Sequence, residues 1–404
     1  MPVGNTQDGP ELAVDGLEIA VIEAGIRYPD RKDLVLFRLE AGTTVSGLFT
    51  KNRFCAAPVH VAKANLSTGN IRALVINTGN ANAGTGSQGM GDAQLSCELV
   101  AAQLGYSADQ VLPYSTGVIG ETMPMERFAA GVQQITTESF GASWLQAATG
   151  IMTTDTVPKY AGRTLAIAGG EITIAGISKG AGMIKPNMAT MLGFVATDAR
   201  IAQTHLDELA SSLIEPSFNR ITVDGDTSTN DAAMLIATGA SGVELAPGQP
   251  GWHEFKQQLG EVFLFLAQAI VRDAEGATKF VTVEVTSTQT SDEARLVAYA
   301  VAESPLVKTA LYASDPNWGR ILAAVGRAGI SDLDTEQVSI YLNELEIVRN
   351  GAVSPDYTEE AGQAVMDLSE ITISISLGRG DNSDTVYTCD FSHDYVSINA
   401  DYRS

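Results

Sequence analysis

The stretch "TLAIAGGEITIAGI" (residues 164–177) decides the class of fold. Two runs of apolar and β-branched residues flank "AGGE", and glycines placed between two such runs are typical of a tight β-hairpin. At least part of the sheet is therefore predicted to be antiparallel. Because strand-like runs alternate with amphipathic segments on both sides of this hairpin, the chain is predicted to be mixed α/β, and a purely parallel, doubly wound sheet is disfavoured.

The same alternation predicts the elements on either side of the hairpin. Strands are predicted over "LVLFRLE" (34–40), "IRALVINTG" (71–79), "QVLPYSTGVIG" (110–120) and "MLGFVATDARI" (191–201). Helices are predicted over 91–105, 125–140, 202–215 and 254–274, and another over "STNDAAMLIA" (228–237). From about Thr335 onward, strands around one short acidic helix predict a smaller C-terminal unit, 335–404.

The charge balance narrows the classes of partner. The chain has 404 residues and carries 25 Lys and Arg against 48 Asp and Glu, a formal charge of −23. Neither nucleic acid nor an anionic membrane is expected as a partner, because this field repels phosphates and no basic cluster offsets it. The cysteines lie far apart and in no C-x-x-C pattern, as expected for reduced thiols. No signal peptide and no membrane-spanning run is found, so a soluble, cytoplasmic protein is expected.

Two motifs match patterns of ligand-binding sites, but the sequence around them does not support ligand binding. "GTGSQG" (84–89) matches the dinucleotide pattern G-x-G-x-x-G, but the preceding strand is predicted to end well before its first glycine. "VDGDTSTND" (223–231) gathers carboxylates yet lacks the spacing of a calcium loop, and it fits a turn that caps a following helix. No metal site is predicted. An uncleaved protein that binds a nucleotide or a cation through one of these motifs is the alternative from a non-enzymatic class.

Thr190, in "KPNMATMLGF" (185–194), is the candidate nucleophile. The four histidines are scattered, and the chain has no H-E-x-x-H, G-x-S-x-G or P-loop pattern. A threonine at a new N-terminus needs no histidine, because its own α-amino group, with a pKa of about 7.7 to 8, serves as the base. Thr190 would acquire that amine by cleavage of the Ala189–Thr190 bond. The alternative from these residues alone is that Thr190 starts a buried strand.

The segment "KGAGMIKPNMATML" (179–192) resembles the self-cleavage segment of the ornithine acetyltransferases, also called glutamate N-acetyltransferases, the ArgJ family of arginine biosynthesis. The resemblance covers essentially the whole chain. Other stretches that carry it are "FTKNRFCAAPV" (49–59), "INTGNANAGTG" (76–86), "STGVIG" (115–120), "MTTDT" (152–156), "VDGDTSTND" (223–231), "EGATKF" (275–280), "SPLVKTALYASDPNWGRILAAVGRAG" (304–329) and the terminal "SHDYVSINADYRS".

The resemblance implies a self-cleaving acetyltransferase made of an α chain, 1–189, and a β chain, 190–404. Thr190 would take the acetyl group of N2-acetyl-L-ornithine and pass it to L-glutamate in ping-pong fashion. Acetyl-CoA as a second donor stays open. The implied fold is a layered α/β sandwich of helices and mixed or antiparallel sheets with a smaller C-terminal α/β domain. The implied assembly is an α2β2 heterotetramer, with no cofactor and no metal.

The resemblance also implies the residues of the site. Thr116 and Gly117 in "STGVIG" would form the oxyanion hole. The substrate-contacting positions would be Thr153, Lys179, Thr190, Glu275, Asn399 and Ser404. By charge, Lys179 is the expected partner of the substrates' α-carboxylate and Glu275 that of an ammonium group. The chain departs from the family at two positions, with Ala274 in place of a common glycine and Ser404 in place of the more usual threonine.

An aminopeptidase or amidase with the same kind of N-terminal nucleophile is the closest alternative. In such an enzyme water, rather than an amino acid, resolves the acyl-enzyme. The acceptor discriminates between the two, because an acetyltransferase transfers acetyl groups to glutamate much faster than it releases acetate.

Overall fold

The computed structural model describes residues 1–167, 169–185 and 191–400. Its strands are β1 (Gln7–Asp8), β2 (Leu17–Ile22), β3 (Leu34–Leu39), β4 (Thr44–Phe49), β5 (Ala73–Asn80), β6 (Val111–Val118), β7 (Lys159–Ile167), β8 (Gly170–Lys179), β9 (Leu192–Thr197), β10 (Ala232–Ala237), β11 (Phe280–Thr288), β12 (Ser339–Leu342), β13 (Leu345–Arg349), β14 (Ala352–Val353), β15 (Glu370–Ser376) and β16 (Asn382–Cys389).

Helices connect most of these strands. They are α1 (Ala57–Leu66), α2 (Gly86–Leu104), α3 (Met125–Gln133), α4 (Trp144–Gly150), α5 (Gln203–Ile214), α6 (Trp252–Arg272), α7 (Ser291–Ala302), α8 (Pro305–Tyr312), α9 (Trp318–Gly326), α10 (Glu359–Met366) and α11 (His393–Ala400). Within the described residues, no helix combines the length and the apolar character needed to cross a membrane.

The chain divides into two compact units. The larger unit comprises residues 6–219 and 226–270, and the smaller unit comprises residues 1–5, 220–225 and 271–404. The predicted C-terminal segment 335–404 is part of the smaller unit, which begins earlier in the chain.

Two sheets face each other in the larger unit. One is mixed, in the order β1-β7-β8-β9-β10-β4, and the other has the order β2-β3-β5-β6. Between them the rings of Phe37 on β3 and Tyr114 on β6 contact Phe194 on β9, with centroids 5.6 Å and 5.1 Å away. Leu36, the neighbour of Phe37, points to the opposite face, where helices α1 to α3 complete a second core. Helices α5 and α6 pack on the mixed sheet, so the layers run helix, sheet, sheet, helix.

The smaller unit contains one sheet with a single main core. The strand order is β14-β13-β12-β15-β11-β16, in which β11 pairs parallel with β15 and antiparallel with β16. Alternate residues of β11, β12 and β15 enter the core together with apolar residues of α7, α8 and α9. This alternation is the expected pattern for strands with one buried face.

The mixed α/β prediction is confirmed, and the hairpin that carries it forms as β7 and β8. These strands pair antiparallel from Lys159 with Ser178 to Ile167 with Gly170. The strands predicted over 34–40, 71–79, 110–120 and 191–201 correspond to β3, β5, β6 and β9, and the helices over 91–105, 202–215 and 254–274 to α2, α5 and α6. In "GTGSQG", the strand β5 ends at Asn80 and α2 begins at Gly86, so the glycines do not form a tight strand-to-helix turn.

The helix predicted over residues 228–237 is wrong. Residues Ala232–Ala237 form β10, which lies between β9 and β4 and is buried along its whole length. A strand buried on both faces shows no alternation, and alanine, methionine and leucine all favour helices when packing does not decide. Six apolar residues are also few for a helix, and this length is the signal that favoured a strand.

Two other predictions need correction. The helix predicted over 125–140 ends at Gln133 and is followed by a short 3-10 turn at Thr137–Ser139, because three β-branched residues interrupt the helical pattern there. From Thr335 onward only one short acidic helix was predicted, but residues His393–Ala400 form a second helix, α11.

Candidate active site

Thr116 and Gly117 lie at the end of β6, where this strand runs parallel to β5. Gly117 has a φ of +135°, and a Cβ at this position would lie against the Gly79 carbonyl carbon and 2.6 Å from the Asn80 nitrogen. Only glycine permits this close approach of the two backbones. The Thr116 hydroxyl is half-buried and accepts a hydrogen bond of 3.3 Å from Lys179 Nζ.

A prediction on stability follows from this crowding. Gly117→Ala combines a positive φ with backbone contacts that cannot give way, so we expect a loss of stability larger than the 1 to 3 kcal/mol, roughly, of dihedral strain alone. Gly120→Ala is the matched control, since its φ is +85° but nothing lies within 4 Å of the new Cβ. Thermal unfolding of both variants tests this, and equal shifts in the two would contradict it.

Lys179 ends β8 and is held by a buried carboxylate. Its Nζ lies 4.0 Å from Oδ2 of Asp155, and the next backbone N–H, that of Gly180, donates to Asp155 Oδ1 at 2.7 Å. Lys159, which is fully buried, donates to the same Oδ1 at 2.7 Å. The Thr153 N–H donates to Oδ2 at 3.0 Å. Asp155 therefore fixes both Thr153 and Lys179, two of the predicted substrate-contacting residues.

The charge state of Asp155 follows from its partners. Burial alone would raise the pKa of its carboxyl group. The charges of Lys159 and Lys179, with hydrogen bonds from Lys159 and from the Thr153 N–H, outweigh burial and hold the pKa well below the usual range. Asp155 is thus an anion between two lysines at any physiological pH.

Asn230 and Asp231, which follow the turn in "VDGDTSTND", belong to the same region. The Asn230 amide donates to the carbonyl groups of Ala81 at 2.6 Å and of Ser115 at 2.9 Å. It thereby ties the start of β10 to the residue that precedes Thr116. Asp231 is 2% exposed, and its Oδ2 has no hydrogen-bond partner among the described residues.

Burial raises the pKa of Asp231 well above its ordinary value, although the Ser228 hydroxyl, the charge of Lys179 and the Met191 N–H all act in the opposite direction. The pKa values of two carboxyl groups near one lysine are therefore shifted in opposite directions, down for Asp155 and up for Asp231. A pair whose pKa values are driven apart in this way is a common feature of catalytic sites.

Glu275 and Asn399 meet within the smaller unit. The Asn399 amide donates to Glu275 Oε2 at 2.8 Å, and Glu275 is 7% exposed. Asn399 is on α11, which was not predicted as a helix, so its position beside Glu275 depends on that helix. Ala274, the departure from the family pattern, is buried next to Glu275.

Thr190 and Ser404 lie outside the described residues, and their predicted roles stay predictions. The structure brings Thr116, Thr153 and Lys179 together in the larger unit, and Glu275 and Asn399 together in the smaller unit. Asp155, Lys159 and Asp231 were not predicted as site residues from the sequence. Asp155 lies within the quoted "MTTDT", and Asp231 within "VDGDTSTND", where the carboxylates were considered only as metal ligands or turn residues.

The described residues contain no group of three or more His, Cys, Asp or Glu side chains placed to hold a metal ion. The cysteines are thiols, not disulfides. Burial raises the pKa of Cys97 to about 12 and that of Cys389 to about 11, so neither supplies a thiolate nucleophile at neutral pH.

Comparison with known proteins identifies the family. The ArgJ family model matches residues 18–404. The arginine biosynthesis bifunctional protein ArgJ of Psychrobacter arcticus is 54% identical over 408 residues, and the match covers 100% of both chains. A crystal structure of the bifunctional protein argJ of Bacillus halodurans has a TM-score of 0.50 and 40% identity, covering 52% of this chain and 99% of that one. Ornithine acetyltransferase of Mycobacterium tuberculosis, solved with ornithine, has a TM-score of 0.40 and 35% identity, covering 44% and 94%.

The α/β sandwich and these matches define an enzyme of the acyltransferase class. The chain belongs to the ArgJ family. Both the resemblance carried by the segment around Thr190 and the predicted enzyme class are thereby confirmed.

Proposed function

We propose that this enzyme of arginine biosynthesis transfers the acetyl group of N2-acetyl-L-ornithine to L-glutamate through an acetyl-Thr190 intermediate. The chain first cuts itself between Ala189 and Thr190, and the two products stay together as an α2β2 heterotetramer. Acetyl-CoA is proposed as a second acetyl donor, because the relative from Psychrobacter arcticus, identical at more than half of the aligned positions, is named a bifunctional protein. No metal or cofactor takes part in the chemistry.

The hydrogen bond from Lys179 to Thr116 is the observation that carries this proposal. A threonine hydroxyl has one proton and two lone pairs. Because Lys179 donates to the Thr116 oxygen, Thr116 keeps its own proton to donate to an oxyanion, and the adjacent positive charge makes it a stronger donor. The N–H of Gly117, the residue after Thr116, is the proposed second donor.

The remaining polar groups are proposed to hold the amino-acid parts of the substrates. Lys179 would pair with the α-carboxylate that N2-acetylornithine and glutamate share. Glu275, kept in place by Asn399, would accept the side-chain ammonium of ornithine. The glutamate acceptor lacks that ammonium, so it would depend more on Lys179 and Thr153.

The length of a relative supports the proposed cleavage. Almost all of the solved Bacillus halodurans chain is covered by about half of this chain. A separate chain of that length is what a cut between Ala189 and Thr190 would produce.

The proposal is tested by intact mass under denaturing conditions together with an acetyl-transfer assay. Two fragments, the second beginning Thr-Met-Leu, and acetylglutamate formed from acetylornithine are expected. If labelled acetyl groups appear as acetate rather than on glutamate, the enzyme is an amidase. A single chain of 42.5 kDa with no transfer would refute the nucleophile itself.

Thr116→Val should lower kcat by about 100-fold to 1,000-fold, with little change in KM, because valine has the shape of threonine without the donor. Thr116→Ser keeps the hydroxyl and is expected to stay within about tenfold of the wild type, since the donor is retained. Steady-state kinetics with acetylornithine and glutamate measure both values. Similar rates for the two variants would show that the hydroxyl donates nothing to the transition state.

A further inference from the structure

We propose that Asp390 and Gly276 position Glu275 for the side-chain ammonium of the acetyl donor. They thereby set the preference for acetylornithine over donors that lack this ammonium. The inference rests on the ammonium contact in the proposed function and deepens it. Both residues act through Glu275, and neither is proposed to touch the substrate. All the residues involved lie in the smaller unit, within 271–404.

The side chain of Asp390 anchors the chain just after Glu275. Asp390 directly follows β16 and is 2% exposed. Its Oδ1 accepts hydrogen bonds from the N–H groups of Thr278 at 2.8 Å and Lys279 at 2.9 Å, and its Oδ2 accepts one from the Thr278 hydroxyl at 2.6 Å. Without this side chain the Lys279 N–H would be buried with no partner, which is a costly state. The backbone that carries Glu275 is thus fixed a few residues away.

Gly276 brings the same turn against the start of α11. Its φ is +68°, and a Cβ at this position would lie 2.5 Å from Ser392 Oγ and 2.6 Å from the Tyr395 nitrogen. Only glycine permits so close an approach. The Tyr395 N–H donates to the Ser392 hydroxyl at 3.3 Å, so these two residues are themselves held together. The residue that follows Glu275 therefore packs directly on the first turn of α11.

Helix α11 carries Asn399, which holds Glu275, but hydrophobic packing does not hold this helix in place. None of its eight residues, all of which the structure describes, is buried. A helix of this length is not stable by itself in water, so it depends on contacts near its beginning. There the ring of Phe391 stacks on that of Tyr395, with centroids 4.8 Å apart. The Asn399 amide donates to the Tyr395 carbonyl at 2.9 Å as well as to Glu275.

Lys308 on α8 fixes the chain that precedes α11 and carries Asp390. Lys308 is fully buried, and its Nζ donates to the Thr388 hydroxyl at 2.9 Å and to the Cys389 carbonyl. The same Nζ lies 4.5 Å from the centroid of the Phe391 ring, within the range of a cation–π contact. Asp390 therefore lies between residues that a buried lysine holds on both sides.

These contacts close a circuit that runs from Asp390 through the turn to Glu275, across to Asn399 and back along α11. If one anchor is lost, Glu275 is free to leave the position that the donor's ammonium requires. A hydrogen bond to a charged group typically changes a binding constant by roughly 10-fold to 100-fold. A donor without the ammonium, such as N-acetyl-L-glutamate, has no such contact to lose.

Asp390→Ala is the first test, with donor preference as the readout. The value of kcat/KM is measured for acetylornithine and for acetylglutamate, each with labelled glutamate as the acceptor. In the second assay the acetyl group leaves unlabelled acetylglutamate and returns on labelled glutamate, so no other donor is needed. The ratio of the first value to the second should fall at least about tenfold in Asp390→Ala. An unchanged ratio would overturn the proposal, because a merely structural loss lowers both values together.

Asp390→Asn is the matched control. Its amide oxygen can accept both N–H groups, and its NH₂ group can donate to the Thr278 hydroxyl, which accepts as well as donates. The ratio should therefore stay within about threefold of the wild type. A fall as large as that of Asp390→Ala would contradict the proposed contacts. Glu275→Gln is the reference for loss of the ammonium contact itself and should lower the ratio as Asp390→Ala does.

Gly276→Ala and Gly378→Ala form the second test. Both glycines lie in the smaller unit with similar φ values, +68° and +66°, and a new Cβ is crowded at each, at Gly378 by Gln337 Cβ at 2.9 Å. Only Gly276→Ala should lower the ratio, because only Gly276 lies beside Glu275. This pair decides the proposal if Asp390→Ala does not fold.

Equal ratios in the two glycine variants would overturn the proposal. Failure of both Asp390→Ala and Gly276→Ala to fold would do the same, because the two residues would then serve the fold. If the wild-type enzyme does not accept acetylornithine, or if Glu275→Gln leaves the ratio unchanged, the proposed function itself fails and not only this inference.

Discussion

Thr190→Ala is expected to leave a single chain of 42.5 kDa that transfers no acetyl groups. The variant has no hydroxyl to attack the Ala189 carbonyl, so the ester cannot form and the α-amine is never released. Loss of a catalytic nucleophile typically lowers kcat by on the order of 10⁶-fold, which puts transfer below detection. Intact mass and the acetylglutamate assay, run side by side with the wild type, measure both consequences.

Thr190→Ser separates the hydroxyl from the methyl group. Serine keeps the nucleophile and is expected to be cut, but more slowly, because without β-branching its χ1 angle is less restricted. A Thr190→Ala variant that still acetylates glutamate would remove Thr190 from the mechanism. An uncut Thr190→Ala variant that also binds ornithine would show that the loss is chemical and not a failure to fold.

How far the sequence predicts the fold depends on whether local signals agree with packing. Gly169 and Gly170 lie between two β-branched runs, and the hairpin follows from them alone. At Ala232–Ala237 propensity and packing disagree. Those residues favour a helix by themselves, and only the flanking strands β9 and β4, distant in the sequence, make them a central strand.

The candidate site was less predictable than the fold. Thr116, Lys179 and Glu275 could be selected only by resemblance, because an isolated threonine, lysine or glutamate carries no signal of its own. Asp155 and Asp231 were missed because their meaning depends on burial and on pairing. The two lysines hold the pKa of Asp155 low and burial raises that of Asp231, and neither effect is visible in the residues beside them.

Asp155→Asn is expected to have the second largest effect, and this effect is a loss of stability. Removal of one partner from a buried ion pair costs about 3 to 5 kcal/mol, because the remaining charge is left uncompensated. Here two ammonium groups, those of Lys159 and Lys179, lose their shared carboxylate. For a unit of this size the melting temperature should fall by on the order of 10 °C. Thermal unfolding is best measured on the Thr190→Ala background, where the chain stays whole.

The pH dependence identifies the cause of this loss. The pKa of Asp155 is lower in the folded state than in the unfolded state, so its stabilisation is fully present above the unfolded value of about 3.9 and disappears as the pH falls through the lower, folded value. The difference in the free energy of unfolding between Asp155→Asn and its parent should thus be constant from about pH 5 to 8 and shrink below about pH 4. If this difference disappeared near pH 7, the loss of stability would have to come from another titratable group.

A double variant separates stability from positioning. Asp155→Leu with Lys159→Met replaces a buried ion pair by apolar side chains of similar size, a change that is often neutral or stabilising. We expect most of the lost melting temperature to return. Transfer should stay impaired, because the N–H groups of Thr153 and Gly180 have lost the carboxylate that fixes them, and Lys179 has lost the charge of Asp155 beside it. Recovery of kcat together with stability would mean that Asp155 supports only the fold, since its hold on Lys179 would then contribute nothing to the reaction.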